Sequence, residues 1–144
     1  MSSFFRIGSD NINIIWPKVK NLLQKAIDLN SGELEVDDIK TFLLQGDMQL
    51  WVVADPEKGI IAAGTTEIVI YPRQKRLRVV LLGPRKNQFR DWILKVWDKD
   101  SELVKYAKDL NIDKFEISGR DGWLKYLSVI GFEKESITIL KDVE

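Results

Sequence analysis

The chain of 144 residues contains neither histidine nor cysteine, so its chemistry has to be built from other side chains. Ser-His-Asp and Cys-His machinery is excluded, as are imidazole or thiolate metal sites and any disulfide framework. Acid–base work falls to carboxylates, Tyr, Lys, the backbone or water. Two carboxylates stand out: Glu67, in the middle of a strand-like run, and Glu116, in the alternation Phe115-Glu116-Ile117. A Glu that alternates with apolar residues is ordinarily the solvent face of a strand, so both readings stand. Basic residues gather twice, as Arg73, Lys75, Arg76 and Arg78 and then as Arg85, Lys86 and Arg90. The first group reads as solvated charge at a turn, and the second suits either solvent or an anion. They lie at opposite ends of one apolar run, roughly 20 Å apart by strand rise, too far for one ligand to use both readily.

The 22 basic and 22 acidic residues cancel to a formal charge of zero, so no global field draws in nucleic acid or anionic lipid. The basic clusters are short and lack interleaved aromatics, which argues against nucleic acid locally as well. No apolar run approaches the roughly 20 residues needed to span a bilayer. The start, MSSFFRIGSD, lacks the charged and apolar regions of a secretory signal, and a cytoplasmic location is expected. The length and the 44% apolar content suit a single domain over residues 1–144. Of the five Trp, Trp92, Trp97 and Trp123 fit buried helical faces. Trp16 and Trp51 fit either the core, the ordinary place, or a partner surface.

The elements that would position these groups follow from periodicity. Phe4 to Ile7 reads as a strand. Ile15 to Ile27 reads as a helix with Pro17 in its first turn, and Val36 to Leu43 as a second helix stopped by Gly46. Met48–Ala54, Ile60–Tyr71 and Leu77–Leu82 form an antiparallel meander joined by Asp55-Pro56-Glu57-Lys58-Gly59 and Pro72-Arg73-Gln74-Lys75. A long amphipathic helix is expected from about Asn87 to Leu110, closed by Asn111, and then a strand at Lys114–Ile117. A helical crossover makes Leu77–Leu82 and Lys114–Ile117 parallel neighbours. The last unit, FEISGRDGWLKYLSVIGF from Phe115 to Phe132, is strand, tight turn and short helix. Trp123, Tyr126, Leu127 and Ile130 mark its apolar face, and Gly131 is a left-handed stop. Ser136–Leu140 reads as a final strand. The fold class is α+β: a mixed, mostly antiparallel sheet with one central parallel strand pair and helices on both faces.

That element order, with the C-terminal helix ending at Gly131-Phe132, resembles the Gcn5-related N-acetyltransferase (GNAT) superfamily over nearly the whole chain. Gly119-Arg120-Asp121-Gly122-Trp123 is similar, more loosely, to small GNAT-like proteins of tailed phages and prophages. The resemblance implies that acetyl-CoA or another acyl-CoA enters where the two parallel strands splay apart. Pantetheine would bond the main chain at Val80, Leu81, Leu82 and Gly83. The loop Gly83–Gln88, with Arg85, Lys86, Asn87 and Gln88, would hold the pyrophosphate at a helix N-terminus. Here the chain departs from the family pattern: the usual glycine places hold Gln88 and Arg90, and Pro84 lacks a donor.

Amine acylation needs a base, a held thioester and a donor for the oxyanion. The resemblance makes Glu67 and Glu116 candidates for the base and Ser118 a contact at the mouth of the splay. The usual Tyr that protonates the departing thiolate falls at Leu127, and Tyr126 lies one residue, about 100°, away. The acceptor implied is an amine on a small molecule or a protein. No metal site and no membrane partner are expected. A second class fits the same features: a GNAT-shaped binding or assembly protein without catalysis, forming a homodimer or serving as a phage structural component in the virion.

Overall fold

Short-period alternation in the first half of the chain resolves into one sheet around which the helices are laid. The computed structural model describes residues 3–28, 32–84, 95–118 and 121–143. The expected phosphate-loop residues Arg85, Lys86, Asn87 and Gln88 lie outside these, as do Arg90, Trp92, Gly119, Arg120 and the side chain of Trp123.

The strands are β1 (Ser3–Ile7), β2 (Gln49–Asp55), β3 (Gly59–Ile70), β4 (Lys75–Pro84) and β5 (Lys114–Ile117). They pair in the order β1-β2-β3-β4-β5. The first four are antiparallel, whereas β4 and β5 run parallel, with Arg76 opposite Lys114 and Val79 opposite Ile117. The meander and the parallel pair are thus as expected from the chain order. Between β1 and β2 lie helices α1 (Ile12–Ile27) and α2 (Val36–Gln45). Asp38 accepts the backbone N–H of Glu35 at 2.9 Å at the start of α2, and Gly46 closes it at φ 81°, the left-handed conformation that glycine adopts without strain. Helix α3 (Glu102–Asp109) lies on the path from β4 to β5, and α4 (Asp121–Leu127) follows β5.

The helices cover both faces of the sheet. Val19, Leu23, Ile39 and Leu43 of α1 and α2 are buried with Leu50, Val52, Ala63 and Leu81 on one face. Trp51, Leu77, Leu103 and Ala107 form the core of the other, joined by Phe4, Trp97 and Phe115. Leu77 and Leu81 fall on opposite faces because the register shifts there. Thr65 pairs with Leu81 and Thr66 with Val79, so Val80 is an extra residue. A bulge of this kind bends the strand and inverts its alternation, which is how a continuous apolar run serves two cores. Trp16 and Trp51 are both buried. Trp51 stacks on Phe4 at 5.4 Å and donates to Thr66 Oγ1 at 2.9 Å, so both indoles belong to the core.

Three expectations are corrected. Helix α1 starts at Ile12, so Pro17 sits inside it and not in its first turn; burial of Ile12 against the core draws the extra turn in. The described part of the expected Asn87–Leu110 helix, from residue 95 on, is not one helix; residues 87–94 lie outside the described residues. After a 3-10 turn at Lys95–Trp97, the run Asp98-Lys99-Asp100 passes to Ser101, whose hydroxyl donates to the Val96 carbonyl and accepts from Val104 N–H. A side chain that satisfies the backbone locally in this way starts a new helix at Glu102. The third correction is Ser136–Leu140, which is not a strand; residues 132–143 form no regular element. Alternation supplies strand propensity, but a strand exists only as one side of a ladder. Consequently the parallel pair closes one end of the described sheet. No helix among the described residues is long and apolar enough to cross a membrane.

Gly83 shows why β4 needs a residue without a side chain: a Cβ there would overlap the Leu22 carbonyl of α1. Gly83→Ala should therefore cost about 1–3 kcal/mol through overpacking. Gly8→Ala, with no atom within 4 Å and φ −66°, should stay within about 0.5 kcal/mol. Chemical denaturation of both variants tests this, and equal midpoints would refute the close approach of α1 to β4.

Candidate functional site

The β4–β5 ladder ends at Val79 and Ile117, yet β4 continues from Val80 to Pro84. Along those residues no described strand lies on the side of β4 away from β3. The bulge at Val80 bends β4 at the point where pairing stops, and β5 ends at Ile117 before Ser118. The result is a fork: closed below Val79, open above it, with bare main chain on one arm.

A polar pocket of about 210 Å³ opens at this fork, lined by Glu33, Leu34, Glu67, Arg78, Val79, Val80 and Ser118. Three residues singled out from the sequence, Glu67, Val80 and Ser118, thus meet at one place. Leu81 and Gly83 are buried, facing the α1 side, and Leu82 is half-buried. A second, apolar opening of about 60 Å³ lies at the sheet face carrying Trp51, Val53 and Trp97. Its described lining holds no titratable group, whereas the polar pocket is lined by Glu33, Glu67 and Arg78.

The closed end of the fork is held by charge. Arg76 donates to Glu116 Oε1 at 2.9 Å and, through two nitrogens, to both oxygens of Glu135 at 3.0 Å. Arg78 donates from Nε to Glu116 Oε2 and from Nη1 to Glu67 Oε1 at 3.0 Å. Tyr71 adds its ring to Arg76 at 5.1 Å and its hydroxyl to Arg78 at 3.4 Å. Lys75 donates to the Leu110 carbonyl at 2.7 Å, and its backbone N–H donates to Asp113. Of the first basic cluster, only Arg73 remains a simple exposed turn residue; Lys75, Arg76 and Arg78 staple β4 to the segment around β5. Arg76 and Arg78 share a face because they alternate with Leu77 and Val79, and parallel register sets Arg78 opposite Glu116. That signal was present in the sequence but needed the register to be legible. Glu33, from the loop before α2, carried no sequence signal.

The two carboxylates are consequently unlike. Burial would raise the Glu116 carboxyl, but hydrogen bonds and charges from Arg76 and Arg78 outweigh it and hold it below the ordinary range. Both its oxygens are occupied. Among the described residues only one oxygen of Glu67 is engaged, by Arg78. Arg78 in turn is drawn down by burial, but Glu116 and then Glu67 hold it more firmly protonated than usual. The Arg76 bond keeps Glu135 below the usual carboxylate range. Tyr126 is half-buried on α4 and does not line the polar pocket, and Leu127 beside it is buried. Gly131 closes this segment at φ 102°, as its sequence predicts. Among the described residues no cluster of acidic side chains is placed to hold a metal ion.

No protein-family profile and no curated protein sequence matches the chain. Solved structures do match along its whole length. A predicted acetyltransferase from Clostridium acetobutylicum, determined with acetyl-CoA, has a TM-score of 0.64 at 14% identity, covering 99% of this chain and 96% of its own. Glucosamine-6-phosphate N-acetyltransferase from Arabidopsis thaliana has a TM-score of 0.64 at 14% identity, covering 100% and 99%. An aminoglycoside 6'-N-acetyltransferase from Acinetobacter baumannii has a TM-score of 0.65 at 12% identity, covering 100% and 99%. The fold is therefore that of the GNAT acetyltransferases: a mixed α+β sheet with its helices on both faces.

The arginine clasp carries a pH signature. Glu116 and Glu135 are depressed below 4.5 in the folded chain. Their contribution is thus fully present above that value and is lost as pH falls through the folded values. Glu116→Gln should cost about 1 kcal/mol at neutral pH, the pair being partly solvent-screened. It should also flatten the loss of stability below pH 4.5. Urea midpoints between neutral and acid pH measure both, and parallel curves for the two proteins would refute the clasp.

Proposed function

We propose that this protein is an acyl-CoA-dependent N-acyltransferase acting on a small-molecule amine, with its reaction at the β4–β5 fork. The observation that carries the reading is the bare edge of β4 above Val79, next to a pocket that joins Glu67 and Ser118. An extended ligand arm with amide groups can add to such an edge as a further strand would. Main-chain groups of Val80, Leu81 and Leu82 would hold the pantetheine arm, with Gly83 continuing the strand. Arg85, Lys86, Asn87 and Gln88, at the head of the following segment, are proposed for the pyrophosphate. The full-length likeness to acetyltransferases supports the same placement of the donor.

Acyl-CoA would supply an activated thioester; the rest of the chemistry falls to this chain. Glu67 is the proposed base: Arg78 orients it through one oxygen, leaving the other for the incoming ammonium, directly or through water. Its proton uptake frees the amine lone pair for attack on the thioester carbonyl. Main-chain N–H groups released from the ladder at the Val80 bulge are the proposed oxyanion donors. Ser118, exposed across the fork, would orient donor or acceptor. Glu116 is assigned to positioning, since a carboxylate held by two arginines is a weak base. Tyr126, half-buried on α4, is the proposed proton source for the departing thiolate. The acceptor would enter past Glu33 and Leu34, where carboxylates on two sides favour a cationic amine.

One observation favours a second reading, a GNAT-shaped protein that binds without catalysis. The place of the usual proton donor is Leu127, a buried apolar side chain.

Thermal unfolding with acetyl-CoA distinguishes the outcomes. At about 100 times its dissociation constant the ligand should add roughly 2.7 kcal/mol. Release of the CoA thiol over a panel of amines can be read with a thiol reagent, because the chain itself has no cysteine. Glu67→Gln should retain the stabilisation yet lower turnover about 10²–10⁴-fold. No stabilisation at millimolar acetyl-CoA would overturn the donor site. Stabilisation without turnover on any amine would favour the binding reading.

A further inference from the structure

Two openings meet at one residue. Val79, the last residue of β4 paired to β5, lines both the polar pocket that holds Glu67 and the apolar opening of about 60 Å³. The two lie on opposite faces of the sheet. Thr66 accepts the Trp51 indole N–H, which puts Thr66 on the Trp51 face and its neighbour Glu67 on the other. By register Gly64 lies opposite Trp51, and Ala62 opposite Val53; directly opposed residues of an antiparallel pair share a face. On its sheet side the apolar opening therefore meets a hydrogen atom at Gly64 and a methyl at Ala62, where the adjoining strand carries Trp and Val. Val96, Trp97 and Leu103 line it from the crossover between β4 and β5, and Leu81 and Leu82 line it from the bare arm of the fork.

We propose that this opening takes the hydrocarbon tail of the donor's acyl group, and that the donor is a short-chain acyl-CoA longer than acetyl, with propionyl or butyryl as the fitting length. The inference rests on the acyl-transfer reading and adds the identity of the donor to it. Continuity selects the occupant: an acyl group whose thioester lies along Val80 to Leu82 ends beside Val79, where the apolar space begins. Size sets the length. A dry apolar cavity of about 150 Å³ binds benzene, so by proportion this one takes about two to three carbon atoms beyond the carbonyl, which are propionyl and butyryl. Chemistry sets the class, because the described lining holds no titratable group; the carboxylate of a succinyl or malonyl group would be buried there unpaired. The amine comes from the Glu67 face and the acyl tail leaves to the other, so a longer tail takes no room from the acceptor. The step itself balances as for any amine acylation. One ammonium proton passes to Glu67, the nitrogen bonds the acyl carbon, the C–S bond breaks, and the second proton ends on the departing thiolate.

Isothermal titration calorimetry of the full chain with CoA and with acetyl-, propionyl-, butyryl-, octanoyl- and succinyl-CoA tests it. Each buried methylene should tighten binding about fourfold, so butyryl-CoA should bind about 15-fold more tightly than acetyl-CoA. Octanoyl-CoA should bind no more tightly than butyryl-CoA, the opening being full, and succinyl-CoA more weakly. Ala62→Val fills the opening from the sheet side and should bring the butyryl-to-acetyl ratio to about one. If that variant does not fold, the chain-length series on the unaltered protein decides alone. Acetyl-CoA binding as tightly as propionyl- and butyryl-CoA would overturn the inference and leave acyl transfer standing. A gain that continues through octanoyl-CoA, or that survives Ala62→Val, would overturn the placement of the tail in this opening. Binding of neither CoA nor any of its esters would overturn the acyl-transfer reading and this inference with it.

Discussion

The site depends on a parallel strand pair that is short. Arg76 to Val79 bond to Lys114 to Ile117 and no further, so two strands that begin side by side end apart. Parallel pairing requires a crossover, and the chain provides one that runs through α3. What stops the pairing is local on each strand. The extra residue at Val80 bends β4, and β5 ends where Ser118-Gly119 begins. Were the ladder two residues longer, the main chain of Val80 and Leu81 would be taken up by β5 and only Leu82 to Pro84 would stay bare.

The charged clasp and the bare edge are two ends of the same strand. Isolated ion pairs at a surface add little stability, but here two arginines share Glu116 and each reaches a further carboxylate. Such a network is sensitive to register. A slip of one residue would turn Glu116 to the opposite face of β5, toward the apolar cluster of Trp97 and Phe115, at the cost of burying an unpaired charge. The clasp therefore specifies which residues of β4 are paired and, by subtraction, which are left bare. The Gly83 contact with α1 works from the other end, holding β4 against the helix layer where no β5 neighbour supports it.

Much of this was legible in the sequence because it is local. Period-two alternation, polar turns and the glycine stops at Gly46 and Gly131 each act within a few residues, and the meander follows from them. The parallel pair was legible because handedness and crossover rules leave few alternatives. The failures were competitions that periodicity does not see. Ser101 outbids helix continuation by bonding the backbone itself, Ile12 joins α1 because the core has room for it, and Ser136–Leu140 has propensity without a partner. The site divides the same way. Glu67 and Val80 sit at strand positions fixed by chain order and Ser118 directly follows β5, which is why all three line one pocket. The carboxylates Glu116 and Glu135 that tie Arg76 and Arg78 to the segment around β5 lie 38 to 59 residues away, and no local pattern connects them.

Glu67 and Glu116 make the point most sharply, since the sequence presents them as equals. Each is a carboxylate amid apolar neighbours on a strand, and each faces the same arginine across the sheet. Their difference, among the described residues, is the count of cations on each: one oxygen of Glu67 is held, whereas both of Glu116 are. A proton acceptor must be poised to change charge, and every further cation fixed to it makes that change harder. Holding Glu116 so firmly is what aims Arg78, and Arg78 is what aims Glu67 into the pocket. A carboxylate held below its ordinary range is thus the one that positions the residue proposed to take a proton.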